Sequence, residues 1–255
     1  MPEHTDHHGP EGLRTRGTIV VVPGRGETRA TYARFGARLA ADAYRVRVID
    51  APDLDAADPD GSLARFGERL SDAVEGTAAE DGVVVPVVLV GADAGAVAIA
   101  AHLRDVERAG ARRPDGIVLA GLPGRGAADL ATWEDELDVR ASCPAHRGAL
   151  SGDPHVRRGS LGEAVPDALF AAAHQGDATV PALLLVGDAD PLGDRDGLVA
   201  TVKSYPRARL SVVRGARHDV LNDVQHRSVA AEVVTFLETL RNGLVPVVAV
   251  ESSTW

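Results

Sequence analysis

Apolar residues recur along the chain in two alternating patterns, short β-branched runs and longer stripes with helical spacing. The short runs predict strands at residues 17–22, 44–50, 83–90, 116–119, 180–186 and 208–213. The stripes predict amphipathic helices at residues 32–41, 63–74 and 228–240. Because most of the runs are apolar at every position and alternate with helices, they predict a mostly parallel sheet covered by helices on both faces.

The pattern also predicts how the chain is divided. Residues 1–16 are polar and are expected to form a disordered leader. Residues 17–243 carry the strand and helix alternation of one domain, interrupted at 124–179 by a stretch without a clean period, which predicts an inserted cap. Residues 244–255 form a valine-rich tail that we expect to pack as an extra edge segment.

The composition of the chain indicates which partners it can bind and where it is located. The net charge of −10 argues against nucleic acid and anionic membranes as partners, so a small-molecule substrate is the expected one. A single cysteine excludes an intrachain disulfide and favours a cytoplasmic location, and no run is apolar enough to predict a membrane span. Only one of the 27 basic residues is lysine, which suggests a GC-rich bacterial genome. A homodimer is left open.

The most informative stretch is VVVPVVLVGADAGAVAIAAH, at residues 83–102. A β-branched run leads through Gly91-Ala92-Asp93-Ala94-Gly95 into an alanine-rich helical run, which is the context of a G-x-S-x-G nucleophile elbow. Glycines two positions either side of the nucleophile avoid a clash where strand and helix meet. The central residue here is Asp93, where serine is usual.

Three residues that can carry chemistry each follow a predicted strand: Asp93, Asp190 and His218. The carboxyl ends of parallel strands lie at one edge of a sheet, where ligands bind. The chain order of nucleophile, acid and histidine is that of the α/β-hydrolases. Asp188 is a second candidate for the acid, but Asp190-Pro191 better matches an aspartate followed by a turn.

Four segments together resemble the α/β-hydrolase fold, and most closely its monoacylglycerol lipase and lysophospholipase branch. They are residues 23–50, 88–103, 180–192 and 215–238. The resemblance implies a hydrolase of carboxylic esters on small or lipid-like substrates. It also implies His218 as general base, Asp190 as the acid that orients it, and an oxyanion hole formed by the backbone N–H groups of Arg25 and Ala94.

The chain departs from this branch at three places. Pro23 replaces the usual histidine before Gly24, the usual R-G-x-G after Asp50 is absent, and Asp93 replaces the serine. A carboxylate attacking an ester would form an unstable anhydride, whereas at saturated carbon it forms an ester that water can cleave. The elbow therefore favours epoxide hydrolase or dehalogenase chemistry, although cap tyrosines and a tryptophan at position 94 are missing.

Several hypotheses stay open from the sequence. Asp93 is the nucleophile, a base acting on water, or the base of a non-hydrolytic elimination or cyclisation. Alternatively the site is degenerate and binds a ligand without chemistry. Arg25 is a candidate for neutralising Asp93 or an acidic substrate, and Trp133 is a candidate halide donor. No cofactor is expected, and no metal site, because the leader histidines cannot preorganise ligands.

Overall fold

The computed structural model describes residues 4–80, 82–109, 113–174 and 179–253, and its centre is a seven-stranded sheet. In chain order the strands are β1 (His4–His7), β2 (Thr18–Val22), β3 (Arg45–Ile49), β4 (Val87–Ala92), β5 (Gly116–Ala120), β6 (Ala182–Gly187) and β7 (Ala208–Val213). Their spatial order is β1-β3-β2-β4-β5-β6-β7, and all neighbours are parallel except β1 and β3. The prediction of a mostly parallel sheet is confirmed.

Helices cover both faces of the sheet, as predicted. In chain order they are α1 (Ala33–Ala41), α2 (Pro59–Glu75), α3 (Ala94–Ala109), α4 (Trp133–Arg140), α5 (Pro144–Gly152), α6 (Asp167–His174), α7 (Arg195–Ser204) and α8 (His226–Arg241). α1 and α8 pack on one face, and α2, α3, α6 and α7 pack on the other. Alternate side chains of the apolar strands fill these two cores, which fixes the sheet between the layers.

The expectation of a disordered leader is wrong for residues 4–7. These residues form β1, which pairs antiparallel with β3 and places Asp6 opposite Arg47. The Arg47 guanidinium donates from Nε and Nη2 to the two Asp6 carboxylate oxygens, each over 2.7 Å. Because Arg47 is buried, this paired contact holds the polar strand on the sheet edge.

The described part of the predicted cap, residues 124–174 and 179, comes between β5 and β6 in the chain and is called the cap below. It contains α4, α5, α6 and a 3-10 turn at Ser160–Gly162. Leu137, Leu150 and Val156 form a small core of their own inside this segment. The cap therefore has a local apolar anchor although its sequence shows no long period.

The tail does not form the extra edge segment that its valines suggest. Val245, Val247, Val248 and Val250 are 60–80% exposed, and no strand is assigned between residues 244 and 253. Pro246 removes a backbone donor in the middle of the run, which disfavours pairing with a sheet edge.

Candidate active site

Asp93 occupies the sharp turn between β4 and α3. Its φ is +46°, a left-handed conformation that a non-glycine residue adopts only under constraint. Its N–H donates to the Ala120 carbonyl on the neighbouring strand over 3.0 Å, and its own carbonyl accepts from Val97 in the first turn of α3. The turn is therefore held from both sides, and the side chain projects into a buried space at the carboxyl edge of the sheet.

The flanking glycines are required by close backbone approach. A Cβ on Gly95 would lie 2.4 Å from the Val22 carbonyl oxygen, and one on Gly91 would lie 2.6 Å from the Ala96 nitrogen. Neither neighbour is a flexible side chain that could move away. The elbow therefore depends on these two glycines whatever the residue at position 93.

Gly95→Ala should destabilise the protein by about 3 kcal/mol, because the added methyl group overpacks against rigid backbone. Gly148→Ala is the matched control, since that glycine lies in α5 and a Cβ added there would meet no described atom within 4 Å. We expect the control to be neutral or stabilised by up to about 1 kcal/mol from helix propensity. Urea unfolding of both variants measures this, and equal stabilities would contradict the steric account of the elbow.

His218 lies in the loop after β7 and meets Asp190, which follows β6. The ring Nδ1 is 3.0 Å and 3.1 Å from the two Asp190 carboxylate oxygens, and the side chain of His218 is fully buried. Because a carboxylate only accepts, Nδ1 carries the proton in this contact. Asp188, the other candidate acid, is exposed and accepts instead from the Gly215 N–H.

The other ring nitrogen of His218 faces Asp93. Nε2 lies 3.2 Å from Asp93 Oδ1, within ion-pair range. The contact is not aligned as a hydrogen bond, and Nε2 has no hydrogen-bond partner among the described residues. The structure thus brings Asp93, His218 and Asp190 together in one chain of contacts, with the Nε2 side of the ring directed into the site.

Arg25 clamps Asp93 with three donors. Its backbone N–H and its Nε both donate to Asp93 Oδ2 over 2.8 Å, and its Nη2 donates to Oδ1 over 2.7 Å. Nη1 donates to the Glu163 carbonyl in the cap. Both side chains are buried, with 8% and 5% of their surfaces exposed, so this is an ion pair within the protein interior.

The backbone donor of this clamp is the one predicted for an oxyanion hole. Arg25 N–H points at Asp93 Oδ2, so that oxygen fills the position that an oxyanion would take. Ala94, the other predicted donor, is buried at the start of α3, and no hydrogen bond joins its N–H to Asp93 in the described part of the chain. Only the Arg25 half of the expected pair therefore engages the carboxylate.

The electrostatics of the three groups follow from these contacts. Burial alone would raise the pKa of Asp93, but the Arg25 guanidinium and the contact with His218 hold it well below its usual range. Burial would lower the pKa of His218, but the charge and hydrogen bond of Asp190, then the contact with Asp93, raise it to about 10. At neutral pH the site therefore holds a carboxylate beside an imidazolium.

A pH titration should find His218 protonated up to pH 9, with the ring proton lost near the pKa of about 10. Asp93→Asn should lower that pKa, because it removes one of the two carboxylates that favour the charged ring. NMR of the imidazole resonances measures both values. A wild-type pKa below 7 would contradict the ion-paired arrangement.

The sequence analysis missed a buried polar network beneath the loop that follows β2, residues 23–27, which carries the Arg25 N–H and is called the oxyanion loop here. Arg140 of α4 donates from Nη2 to the Arg25 carbonyl over 2.7 Å and to Ser160 Oγ over 3.0 Å. Its Nε and Nη2 also bind Glu136, one turn earlier on α4. The cap therefore fixes the Arg25–Gly26 peptide, which directly follows the peptide that carries the Arg25 N–H. The sequence signal for this network is the spacing of Glu136 and Arg140, four residues apart on a helix. Such charge pairs usually lie on an exposed helix face, so the spacing did not indicate a buried network.

One cluster could supply metal ligands. Glu27, His146 and Asp219 are buried, and one donor atom from each lies within 4.8 Å of the others. Tyr32 and the Gly24 N–H already bind Glu27, and Arg140 Nη1 lies 3.5 Å from Asp219. Burial and the charge of Asp219 raise the pKa of Glu27 to about 7, since positive charge from Arg140 only partly offsets them. Glu27, His146 and Asp219 are therefore part of the buried polar network that contains Arg140, beneath the oxyanion loop.

A cavity of about 370 Å³ opens over the elbow. Arg25 and Ala94 line its inner end, and the loop after β3 and the cap line the rest, including Asp53, Leu54, His155 and Arg157. A larger cavity of about 740 Å³ lies beside the turn after Asp190, but none of Asp93, His218 or Arg25 lines it. Asp93 and His218 do not line the smaller cavity either, but Arg25 and Ala94 do, so the smaller cavity adjoins the elbow and is the candidate substrate site.

Trp133 does not reach this site. It begins α4 at the outside of the cap, its ring N–H donates to Ser151 Oγ over 3.1 Å, and the Arg158 guanidinium lies 5.1 Å from its ring centroid. The suggestion of a halide donor at Trp133 is therefore wrong. The ring instead packs against the small apolar core of Leu137, Leu150 and Val156.

The sequence of the chain matches that of a known protein family. A family model described as serine aminopeptidase, S33, matches residues 14–225, from before β2 to the end of the histidine loop. The chain belongs to this family of α/β-hydrolases. It is thus a hydrolase-family protein whose elbow carries aspartate. No curated protein matches the chain.

Solved structures agree on the fold. The monoacylglycerol lipase of Paleococcus ferrophilus is 17% identical with a TM-score of 0.69, covering 93% of this chain and 98% of its own. A monoglyceride lipase variant from Saccharomyces cerevisiae is 15% identical with a TM-score of 0.70, covering 93% and 91%. A type II thioesterase of the yersiniabactin pathway is 18% identical with a TM-score of 0.61, covering 94% and 99%. The prediction of the α/β-hydrolase fold is confirmed.

None of the helices in the described ranges is both long enough and apolar enough to cross a bilayer.

Proposed function

We propose that this α/β-hydrolase opens epoxides through a covalent alkyl-enzyme ester on Asp93. The observation that carries the proposal is the position of the Asp93 carboxylate. Oδ2 accepts from the Arg25 N–H in the oxyanion position, while Oδ1 faces His218. One oxygen is therefore placed as the future carbonyl oxygen of an ester, and the other as the attacking atom.

In the first step Asp93 Oδ1 would attack an epoxide carbon. A new C–O bond forms to the carboxylate, the epoxide C–O bond breaks, and its electron pair goes to the epoxide oxygen. That oxygen needs a proton. The imidazolium of His218 is a donor at neutral pH, with its Nε2 proton not aligned on Asp93. His218 would thus supply the acid that cap tyrosines supply elsewhere.

In the second step the neutral His218 would take a proton from water, which attacks Cγ of the Asp93 ester. Negative charge then develops on Oδ2, where the Arg25 N–H and Nε lie 2.8 Å away. Collapse of the tetrahedral intermediate breaks the ester C–O bond, and the diol oxygen receives the proton from His218 or solvent. Asp190 holds the ring orientation through both steps.

A carboxylic ester is the second candidate substrate, and the likeness to lipases and a thioesterase favours it. In that reaction the substrate carbonyl oxygen needs the position that Asp93 Oδ2 already fills. His218 would have to act as a base on water in the resting enzyme, although its pKa is raised to about 10. The geometry therefore supports this route less well than displacement at saturated carbon.

Acid-quench trapping tests the proposal. The wild-type enzyme is mixed with excess small epoxide, quenched during turnover, digested and analysed by mass spectrometry. We expect the mass of the opened epoxide on the peptide that contains Asp93, and none on that peptide in Asp93→Asn. Diol formation without any adduct on this peptide would contradict a covalent route.

The pH profile separates the two candidate reactions. For an epoxide, kcat/KM should be flat from pH 5 to pH 9 and fall as His218 loses its proton near the pKa of about 10. For base-catalysed ester cleavage, kcat/KM should instead rise about tenfold per pH unit up to that value. A rising profile with p-nitrophenyl esters and no epoxide turnover would favour the second candidate.

A further inference from the structure

The Arg25–Asp93 contact bears on the class of epoxide that the site accepts. Asp93 Oδ2 receives two donors from Arg25, and Oδ1 receives Arg25 Nη2 and lies 3.2 Å from His218 Nε2. A carboxylate has about two lone-pair directions on each oxygen. Three of these four directions meet Arg25 donors, and the fourth, on Oδ1, faces His218 Nε2 at 3.2 Å without an aligned hydrogen bond. Oδ1 therefore becomes a better nucleophile once it loses the Arg25 donor.

The same contact is also lost after attack. Once Asp93 becomes a neutral ester, the buried Arg25 guanidinium has lost the carboxylate that binds it at 2.7–2.8 Å. A buried cation without an ionic partner is strongly disfavoured. The Glu163 carbonyl is its other described partner, and that group carries no charge. Both steps therefore become easier if a second anion takes the guanidinium.

We infer that the substrate brings this anion itself, so that the site takes small epoxides carrying a carboxylate, which pairs with Arg25 and releases Asp93 as the nucleophile. This inference rests on the proposed function. The exchange is balanced, because one carboxylate replaces another on the same guanidinium while the Asp93 Oδ1–carbon bond forms and the epoxide C–O bond breaks. The oxygen takes its proton from His218, as above.

The location of the cavity agrees with this exchange. Arg25 and Ala94, the residue after Asp93, both line the 370 Å³ space, whereas Asp93 and His218 do not, so a substrate in the cavity meets Arg25 first. Arg157 and His155 line the same cavity, as do the acidic residues Glu27, Asp53 and Glu163, and Arg157 is paired with Glu163 over 3.0 Å. Arg25 is therefore the cavity's cation for an incoming carboxylate. A small substrate can therefore present a carboxylate to Arg25 from the cavity, and movement of the guanidinium onto that carboxylate would expose Asp93 to the epoxide carbon.

The test compares two substrates with the same epoxide ring, glycidate and glycidol. Glycidate carries a carboxylate where glycidol carries a hydroxymethyl group. We expect kcat/KM for glycidate to exceed that for glycidol by at least about 100-fold, because a site built for a polar partner rejects an analogue that lacks it. Equal or faster turnover of glycidol would overturn the inference and leave the proposed function standing. Turnover of neither would reject the proposed function and with it the epoxide, and the binding measurement below then decides whether Arg25 takes the carboxylate of a small acid.

Binding of the unreactive acid glycerate supplies that separate readout. In Asp93→Ala the competing carboxylate is gone, so we expect glycerate to bind at Arg25 at least about tenfold more tightly than glycerol by calorimetry. The double variant Asp93→Ala, Arg25→Met should lose this preference. Circular dichroism checks that both variants fold. Glycerate binding no tighter than glycerol in folded Asp93→Ala would overturn the inference whatever the turnover results.

Discussion

Asp93→Asn should lower kcat/KM toward an epoxide by at least about 10⁴-fold, the size of effect seen when a member of a catalytic triad is removed. Asparagine is close to aspartate in volume, but its amide is a poor nucleophile and carries no charge. The physical reason for the loss is therefore chemical and not steric. Steady-state kinetics with the wild type and the variant, both checked by mass for deamidation, measure it.

Asp188→Asn is the matched control for this change. Asp188 lies two residues before Asp190 in the same turn and is exposed, and the hydrogen bond described for its side chain is the one from the Gly215 N–H. We expect its kcat/KM to stay within about threefold of the wild type, since surface changes of this kind cost little. If Asp93→Asn retained activity within tenfold of this control, Asp93 would not be the nucleophile.

Arg25→Met should lower the free energy of unfolding at pH 7 by about 3 kcal/mol, because it leaves the buried Asp93 carboxylate without its guanidinium. The low pKa of Asp93 in the folded protein means that its ionised form stabilises the fold above the unfolded pKa of about 3.9. That contribution is lost as pH falls through the depressed pKa. The difference between the two proteins should therefore be largest at neutral pH and shrink in acid.

Urea unfolding at several pH values measures this difference, with Arg65→Met as the control. Arg65 pairs with Asp58 over 3.1 Å, but both side chains are more than half exposed, so its loss should cost less than about 1 kcal/mol. Adding Asp93→Asn to Arg25→Met should recover part of the lost stability, since no unpaired carboxylate remains. Equal losses for Arg25→Met and Arg65→Met would contradict a buried ion pair.

The sheet and the elbow could be predicted because their signals are local. The apolar runs of β2 and β4 to β7 are buried along their length or packed against the core, and a β-branched run has few other stable environments. β1 could not be predicted, since His4–His7 has no apolar alternation and is held by the Asp6–Arg47 pair, whose partners are 41 residues apart. α7 was also missed, because only Leu198 and Thr201 of its ten residues are buried.

The candidate site was predictable in its members but not in its arrangement. Asp93, Asp190 and His218 could be located because each follows a strand and the edge of a parallel sheet gathers them. Arg25 was a candidate partner of Asp93, but its three hydrogen bonds to the carboxylate depend on the conformation of the oxyanion loop. Arg140 holds that loop from the cap, and the cap has no period from which its packing could be inferred.

Incorporation of ¹⁸O into Asp93 tests the central claim most directly. The enzyme is run through a single turnover of glycidate in H₂¹⁸O, and the peptide that contains Asp93 and the diol product are both analysed by mass spectrometry. The account predicts one heavy oxygen in the Asp93 carboxylate and none in the product, because water attacks the ester carbonyl and not the substrate. Label in the product with none in Asp93 would show direct attack by water and would contradict the covalent mechanism.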